Sequence, residues 1–164
     1  MEISKKAKES KTILTDLVLP PDTNFHGTMF GGKVMANADK VASIAAMRHA
    51  RAAVVTASSD SMDFIAPIHT GEAICIEAYV TFARKTSMEV YVKVEAENLI
   101  SGEKRLTATA YMTFVALNSE GKPTPVPKVI AETEEEKWQY VGAEERFQTR
   151  KKRTEERKKR QQNQ

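Results

Sequence analysis

The sequence predicts an α+β fold in which an antiparallel β-sheet covers one long helix. Three observations support this prediction. The pattern of apolar residues indicates one strand, one long helix and then four strands. Only short turn segments separate the last four strands, and short connections force neighbouring strands to run antiparallel. The helical stretch at residues 33–53 is rich in Ala and Met and lacks Gly and Pro, so it is suited to covering one face of the sheet.

The elements are predicted in chain order. Residues 1–11 are polar and are expected to be a flexible N-terminus. The long helix is expected to open at Gly31-Gly32 and to run to about Arg51, where His49 and Arg51 would complement the helix dipole. Strands are predicted over residues 12–19, 53–65, 73–82, 88–97 and 106–117. The fourth strand alternates cleanly, with one face formed by Met88, Val90, Val92, Val94 and Ala96.

The C-terminal region is predicted to be helical from Thr133, which has capping-box spacing with Glu136. We expect this helix to dock through Trp138 and Val141 and then to dissolve into a basic tail. The predicted organisation is therefore a flexible segment over residues 1–11, a folded domain over 12–128, and a charged helix with a basic tail over 129–164.

Composition and charge exclude several classes of protein. No apolar run approaches the roughly 20 residues of a membrane span, and no secretory signal is expected, so a cytoplasmic protein is predicted. Of the 25 Lys and Arg residues, eight lie in residues 150–164 beside two acidic residues, which leaves 17 basic and 20 acidic residues elsewhere. The pI of about 8.9 is thus due to the basic residues of the tail, and the rest of the chain is slightly acidic. No nucleic-acid partner is therefore expected.

A loop that leads into the long helix carries the candidate chemistry. Turn-forming residues precede the helix and include Asn24 and Gly27. The Gly31-Gly32 pair opens the helix, where backbone N–H groups at the positive end of the dipole can polarise a carbonyl group. Glycine at this point lets a ligand approach the backbone closely.

Asp39 lies about two turns inside the predicted helix, on a small and apolar face. Its helical neighbours are Met35, Ala36, Ala42, Ser43 and Ala46. No Lys or Arg stands three or four residues away, so the usual surface ion pair is missing. A carboxylate on such a face loses hydration, which suits it to general-base work. Spacing alone also permits a simply solvated carboxylate.

Taken together, these motifs resemble those of the hot-dog-fold acyl-CoA thioesterases, and in particular the bacterial single-domain relatives of the brain-type cytosolic acyl-CoA hydrolase. The resemblance rests on the loop at residues 20–27, the helix opening Phe30-Gly31-Gly32, Asp39, and the later run at residues 82–88. It covers roughly residues 12–127. It implies a hot-dog fold, with the sheet wrapped around a central helix, and protomers that pair edge to edge and assemble as trimers of dimers.

The resemblance implies hydrolysis of fatty acyl-CoA to a fatty acid and free CoA, with Asn24 and Asp39 as the catalytic residues. Asp39 would activate a water molecule or attack the thioester directly, and Asn24 would orient the water or donate to the oxyanion. About 10 Å of helix axis separates Gly32 from Asp39. One thioester carbon cannot lie within roughly 3.5 Å of both, so we expect two protomers to share the site.

The resemblance also implies where CoA binds. Two cations and two hydroxyls would meet the CoA phosphates, and they belong to Arg84, Lys85, Thr86 and Ser87. His26 would shape the loop at residues 20–27 that receives the substrate. No cofactor and no metal are expected, since the CoA thioester is itself the substrate.

Two alternatives on the same fold remain open. A hydroxyacyl-thioester dehydratase needs a catalytic histidine with a helical carboxylate, which His26 and Asp39 could supply. A non-enzymatic acyl-CoA-binding sensor would bind the ligand without turnover. A purely structural oligomer is disfavoured, because an unpaired charge on an apolar face costs stability.

Overall fold

The computed structural model describes residues 3–164. A five-stranded antiparallel sheet surrounds helix α1, and a long helix α2 lies on the outer face of the sheet. The strands are β1 (Ser4–Lys6), β2 (Thr12–Leu17), β3 (Ala53–Phe64), β4 (Ala73–Ala83), β5 (Ser87–Glu97), β6 (Lys104–Leu117) and β7 (Lys128–Ile130), and the helices are α1 (Gly31–Ala50) and α2 (Glu134–Gln162). Within the five-stranded sheet the strand order is β2-β4-β5-β6-β3. The predicted α+β architecture is confirmed, and β3 is an edge strand.

The core lies between α1 and the sheet, where α1 contacts all five strands. The predicted face of β5 is fully buried, and the alanines of α1 let the helix approach it closely. Small residues on the helix and branched residues on the strand therefore fill one continuous core. Its α1 members include Val34, Ala38, Val41, Ala42, Ala45 and Ala46.

The N-terminal segment that we expected to lack structure is folded within residues 3–11. Strand β1 pairs in parallel with β7, and a 3₁₀ turn over Ala7–Ser10 follows it. Ala7 and Ser10 are buried, and the Ser10 hydroxyl accepts a hydrogen bond from the Val80 N–H at 2.8 Å. The polar composition of the segment did not predict these contacts, because only two of its residues are buried and both are small. Residues 1 and 2 of the predicted segment lie outside the described residues.

His49 does not have the role predicted for it. Its side chain is fully buried, and Nε2 lies 2.8 Å from the Pro127 carbonyl oxygen. Burial lowers the pKa of this imidazole, so it is neutral at pH 7 and cannot complement the helix dipole. The helix instead ends at Arg51, which adopts a left-handed conformation (φ 50°) and donates its N–H to the Met47 carbonyl.

Helix α2 begins as predicted but docks through other residues. The capping box of Thr133 and Glu136 is present. The predicted contacts are wrong, because the side chains of Trp138 and Val141 are 69% and 78% exposed. Gln139 is buried instead and accepts a hydrogen bond from the Tyr111 hydroxyl at 2.7 Å. The two buried residues of α2 are the polar Gln139 and the small Ala143, so large apolar residues could not identify the docked face.

The predicted basic tail is also helical to Gln162, since ion pairs hold α2 to the sheet. Arg146 pairs with Glu89 of β5 through two hydrogen bonds of 2.8 and 2.9 Å. Glu144 pairs with Arg84, and Asp60 of β3 pairs with Arg150 and Arg153. Among residues 3–164, no helix combines the length and the apolar character needed to cross a membrane.

Candidate active site

The loop before α1 is organised by the amide of Asn24. Its Oδ1 accepts hydrogen bonds from the backbone N–H groups of His26 (2.9 Å) and Thr28 (3.3 Å). Its Nδ2 donates to the Thr28 hydroxyl at 2.9 Å. Gly27 completes the turn with φ of 78°. Asn24 is therefore a turn former, as its residue type predicts.

These hydrogen bonds leave one N–H of the Asn24 side chain free to bind a ligand. A carbonyl oxygen has two acceptor positions, and both are taken by backbone N–H groups. An amide nitrogen has two hydrogens, and one is given to Thr28. The remaining N–H can donate to a substrate oxygen or to the oxygen of a water molecule, whereas no acceptor position is left.

The first turn of α1 presents backbone donors beside an apolar pocket. Phe30 caps the helix without a side-chain hydrogen bond, and within the described chain no acceptor meets the N–H of Gly31 or Gly32. A Cβ at Gly31 would be 3.7 Å from the Phe64 ring, an ordinary contact. Packing within this chain therefore does not require glycine there, and a ligand can approach these N–H groups.

The apolar pocket has a volume of about 340 Å³ and lies between this helix turn, the end of β3 and β6. Its walls are almost entirely apolar or backbone, which suits an acyl group rather than a charged one. It is lined by Thr28, Met29, Gly31, Val34, Phe64, Ile65, Ala66, Pro67, Ile68, Thr107 and Ala108.

Asp39 is half-buried on α1, and its carboxylate accepts a hydrogen bond from the Thr56 hydroxyl at 2.8 Å. Ala42 and Ala46 beside it are buried, while Met35 is 45% exposed. No cation lies within ion-pairing distance of this carboxylate in residues 3–164. The predicted apolar setting is thus present on one side of Asp39, and the other side is open.

Thr56 is the site residue that sequence reasoning missed. It lies in β3, where the register shifts between Thr56 and Ser58. The unusual polar middle of this strand was the available signal, but the pattern does not show which hydroxyl faces α1. Only the sheet register and the position of α1 bring Thr56 to Asp39.

The structure does not bring Asn24 and the helix start together with Asp39 in one chain. Seven residues separate Gly32 from Asp39, or about 10 Å of helix axis. The three groups therefore occupy two separate half-sites, one at the loop and helix start and one at Asp39 and Thr56.

The predicted CoA-binding run forms the turn between β4 and β5, beside α2. Arg84 is paired with Glu144, and its guanidinium lies 3.3 Å from the centre of the Phe147 ring. The carbonyl of Lys85 accepts a hydrogen bond from the Val126 N–H in the loop after β6, and that of Thr86 accepts one from the Ala116 N–H of β6. His26 is exposed on the loop before α1, with its ring centroid 3.9 Å from that of Phe25 and the two ring planes tilted by 39°.

Comparison with known proteins decides the family. Residues 26–102 match the Thioesterase superfamily. A Bacillus subtilis protein named uncharacterized acyl-CoA thioester hydrolase YkhA is 53% identical over 146 residues, which cover 89% of this chain and 85% of YkhA. The chain belongs to the acyl-CoA thioester hydrolase family. The cytosolic acyl coenzyme A thioester hydrolase of Rattus norvegicus is 41% identical over 84% of this chain and 37% of the rat protein.

Solved acyl-CoA thioester hydrolases share the whole fold. A hexameric acyl-CoA thioesterase in its apo form is 51% identical, with a TM-score of 0.91 over 94% of this chain and 98% of that one. An acyl-CoA hydrolase of Staphylococcus aureus, solved with butyryl coenzyme A, coenzyme A and coenzyme A disulfide, is 47% identical, with a TM-score of 0.91 over 95% of each chain. Alanine variants of the Staphylococcus hydrolase have been solved at an aspartate, a threonine and an asparagine. The predicted hot-dog fold is confirmed.

In this thioesterase fold, β3 is one of the two edges of the five-stranded sheet, and the adjoining face of α1 is exposed. Strand β3 pairs with β6 on one side only. Large apolar side chains are exposed on β3 and α1, namely Met35, Ile44, Met47, Val55 and Phe64. An unpaired edge and an apolar surface of this kind are suited to another chain.

Proposed function

We propose that this protein hydrolyses the thioester of a fatty acyl-CoA to a free fatty acid and CoA, with an active site shared between two protomers. The observation that carries the proposal is the carboxylate of Asp39, held at 2.8 Å by Thr56 on a helix face that is open on one side. Family membership supports the thioester substrate.

The spacing of three residues supports their assignment. In the Staphylococcus variants the aspartate follows the asparagine by 15 positions, and the threonine follows the aspartate by 17. The same separations relate Asn24 to Asp39 and Asp39 to Thr56 in this chain. We therefore assign Asn24 and Asp39 as catalytic residues and Thr56 as the residue that positions Asp39.

From the geometry we infer a role for each group. The N–H groups of Gly31 and Gly32 and the remaining N–H of Asn24 polarise the thioester carbonyl and stabilise the oxyanion that develops on it. Thr56 occupies one oxygen of Asp39, which leaves the other to accept a proton from the attacking water. The C–S bond of the tetrahedral intermediate then breaks, Asp39 returns the proton to the departing thiolate of CoA, and the acid is released. A direct attack by Asp39 would form an anhydride that water opens.

A shared site follows from the separation of the two half-sites. The helix start of one protomer supplies the oxyanion donors, and Asp39 of a second protomer supplies the base. The open edge of β3 and the exposed apolar side chains of α1 support pairing of two chains there. A dimer is the minimum assembly, and hexameric relatives support a trimer of dimers. The rat relative is described as cytosolic, in keeping with the predicted cytoplasmic location.

The two alternatives on this fold receive less support. A dehydratase would need His26 beside a carboxylate, but His26 is exposed on the loop and packs against Phe25. A sensor would need no placed base, whereas Asp39 is held by Thr56. Relatives are named hydrolases, which supports turnover.

The deciding experiment follows hydrolysis of one short and one long acyl-CoA by loss of thioester absorbance. Wild type, Asp39→Asn and the control Asp16→Asn are compared, since Asp16 is an exposed carboxylate on the far edge strand β2. Removal of a general base costs roughly 10²–10⁴ in rate. Turnover by wild type and Asp16→Asn with this loss in Asp39→Asn supports the proposal. Binding of acyl-CoA by wild type without hydrolysis overturns it.

A further inference from the structure

Residues 65–72 connect β3 to β4 and lie beside the loop that precedes α1. We call them the β3–β4 loop. Its backbone holds the loop before α1 at two points. Met29 donates its N–H to the Ile68 carbonyl at 2.7 Å, and Thr70 donates its N–H to the Gly27 carbonyl at 3.1 Å. The Thr70 hydroxyl donates to the same carbonyl at 3.2 Å. The β3–β4 loop therefore sets the position of the loop before α1.

The contact between the two loops lies at the wall of the apolar pocket. Met29 and Ile68 are buried side chains of the core and also line this pocket. The turn of Asn24, which presents the remaining side-chain N–H, ends at Thr28, directly before Met29. A shift of the β3–β4 loop would therefore move the pocket wall and the Asn24 N–H together.

One guanidinium group holds both ends of the β3–β4 loop. Arg105 of β6 donates from Nη2 to the Pro67 carbonyl at 2.6 Å. It also pairs with the Glu72 carboxylate through hydrogen bonds of 2.5 and 2.7 Å. The planar fork of arginine makes such bonds at the same time, whereas the single ammonium group of lysine cannot reproduce that geometry. We call Arg105 and Glu72 the loop clamp.

Glu72 also closes the β3–β4 loop from within. Its carboxylate accepts a hydrogen bond from the His69 N–H at 2.7 Å, and its backbone carbonyl accepts one from the Val18 N–H at 2.9 Å. The side chain is only 12% exposed, and the hydrogen bonds from Arg105 lower the pKa of this carboxyl. The group is therefore ionised at pH 7, and loss of Arg105 would leave a largely buried charge without its partner.

We propose that Arg105 and Glu72 are positioning residues for hydrolysis, which hold the Asn24 N–H and the wall of the apolar pocket in place beside the first turn of α1. This inference rests on the proposed function. Neither clamp side chain lines the pocket, so the clamp acts through the backbone of the two loops and not by contact with the substrate. A misplacement of about 1 Å caused by a change far from the chemistry can cost roughly 10²-fold in rate.

Glu72→Gln and a matched control test the proposal. Glu72→Gln removes the ionised partner of Arg105 with almost no change in size. The control Glu77→Gln makes the same change five residues further along the chain, in an ion pair with Lys11 of 3.1 Å that involves neither loop. Arg105→Lys is the second clamp variant. It keeps the charge, loses the fork, and carries the test where Glu72→Gln does not fold.

The first readout is hydrogen exchange of peptides that cover residues 24–30 and 65–72, which requires no turnover. The amides of Met29 and Thr70 lie in these peptides and are protected by the hydrogen bonds between the loops. We expect them to exchange about tenfold faster in both clamp variants. In Glu77→Gln their exchange should stay at the wild-type rate.

The second readout is the kinetics of acyl-CoA hydrolysis. In the clamp variants kcat should fall about tenfold with KM nearly unchanged, because the displaced donors act on the transition state. In an Asn24→Asp background, which already lacks the side-chain donor, Glu72→Gln should cost much less than in wild type. Combined with Thr56→Val of the other half-site, it should cost the full factor. General destabilisation would reduce the rate by the same factor in both backgrounds.

The outcomes separate the clamp from the reaction. Equal loop exchange and equal kcat in Glu72→Gln and Glu77→Gln overturn the positioning role, even when wild type hydrolyses acyl-CoA. A loss of kcat that multiplies fully with that of Asn24→Asp overturns it as well. Faster loop exchange in the clamp variants of a protein that hydrolyses no acyl-CoA supports the clamp and refutes the proposed function.

Discussion

Arg146 of α2 and Glu89 of β5 form a bidentate ion pair, and their side chains are only 22% and 7% exposed. Glu89 also accepts a hydrogen bond from the Thr81 hydroxyl at 2.6 Å, and Arg146 donates to the Gln139 carbonyl. A Cβ at Gly142 would lie 2.5 Å from this guanidinium, so the glycine leaves room for it. This network explains why a helix with few apolar contacts stays docked.

Substitution Arg146→Ala should therefore release α2 from the sheet. It leaves a buried carboxylate without its partner, which typically costs about 3 kcal/mol. Hydrogen exchange along α2 and urea unfolding would measure the effect. The exposed Lys152→Ala on the same helix should change stability by less than about 0.5 kcal/mol. Unchanged amide protection of α2 in Arg146→Ala would show that other contacts hold the helix.

Substitution Thr56→Val should lower kcat without unfolding the protein, because it keeps the shape of the side chain but removes the hydroxyl that holds Asp39. A fall of about tenfold is expected for one lost hydrogen bond of roughly 1.4 kcal/mol. Thr56→Ser keeps the hydroxyl and should restore most of the rate. Equal kcat for the Val and Ser variants would show that Thr56 does not position Asp39.

Substitution Asn24→Asp separates the two uses of this side chain. The acceptor oxygens that hold the N–H groups of His26 and Thr28 remain, whereas both N–H donors are lost, including the one bound to the Thr28 hydroxyl. The Thr28 hydroxyl can donate to the new carboxylate in its place. We expect a fold and a melting temperature close to wild type and a fall in kcat of about 10²–10³, as for loss of one oxyanion donor. Rates close to wild type would assign Asn24 to loop structure alone.

His49 should make stability depend on pH. Burial lowers the pKa of its imidazole below the ordinary 6.5 of the unfolded chain. Below about pH 6.5 the unfolded chain binds a proton that the folded chain does not, so stability falls as pH falls until the folded pKa is reached. The slope is at most about 1.4 kcal/mol per pH unit.

The measurement for His49 compares urea unfolding at pH 7.5 and 5.5 in wild type and His49→Gln. The wild type should lose more stability than the variant, since the variant lacks the buried imidazole while its other titrating groups are the same. The exposed His69 provides a control through His69→Gln, which should retain the wild-type pH dependence. Identical pH dependence in wild type and His49→Gln would contradict the prediction.

Local sequence determined the long elements of this protein and their order, but not the short paired strands β1 and β7. Alternation of apolar and polar residues predicts β5 to within a residue, and the Gly31-Gly32 pair marks the start of α1. These signals are local, because a strand or helix that buries one face must repeat its apolar residues at that period. The candidate residues Asn24 and Asp39 came from their motif and its family resemblance.

Only the tertiary structure decided which residues meet across elements. The contact between Thr56 and Asp39 depends on sheet register, and the burial of His49 depends on the loop that returns Pro127 to it. The docked face of α2 buries only Gln139 and Ala143 and is stabilised by ion pairs with distant strands, so the search for large apolar residues selected Trp138 and Val141 wrongly. Such pairings are absent from local patterns because they join residues far apart in the chain, and folding alone brings them together.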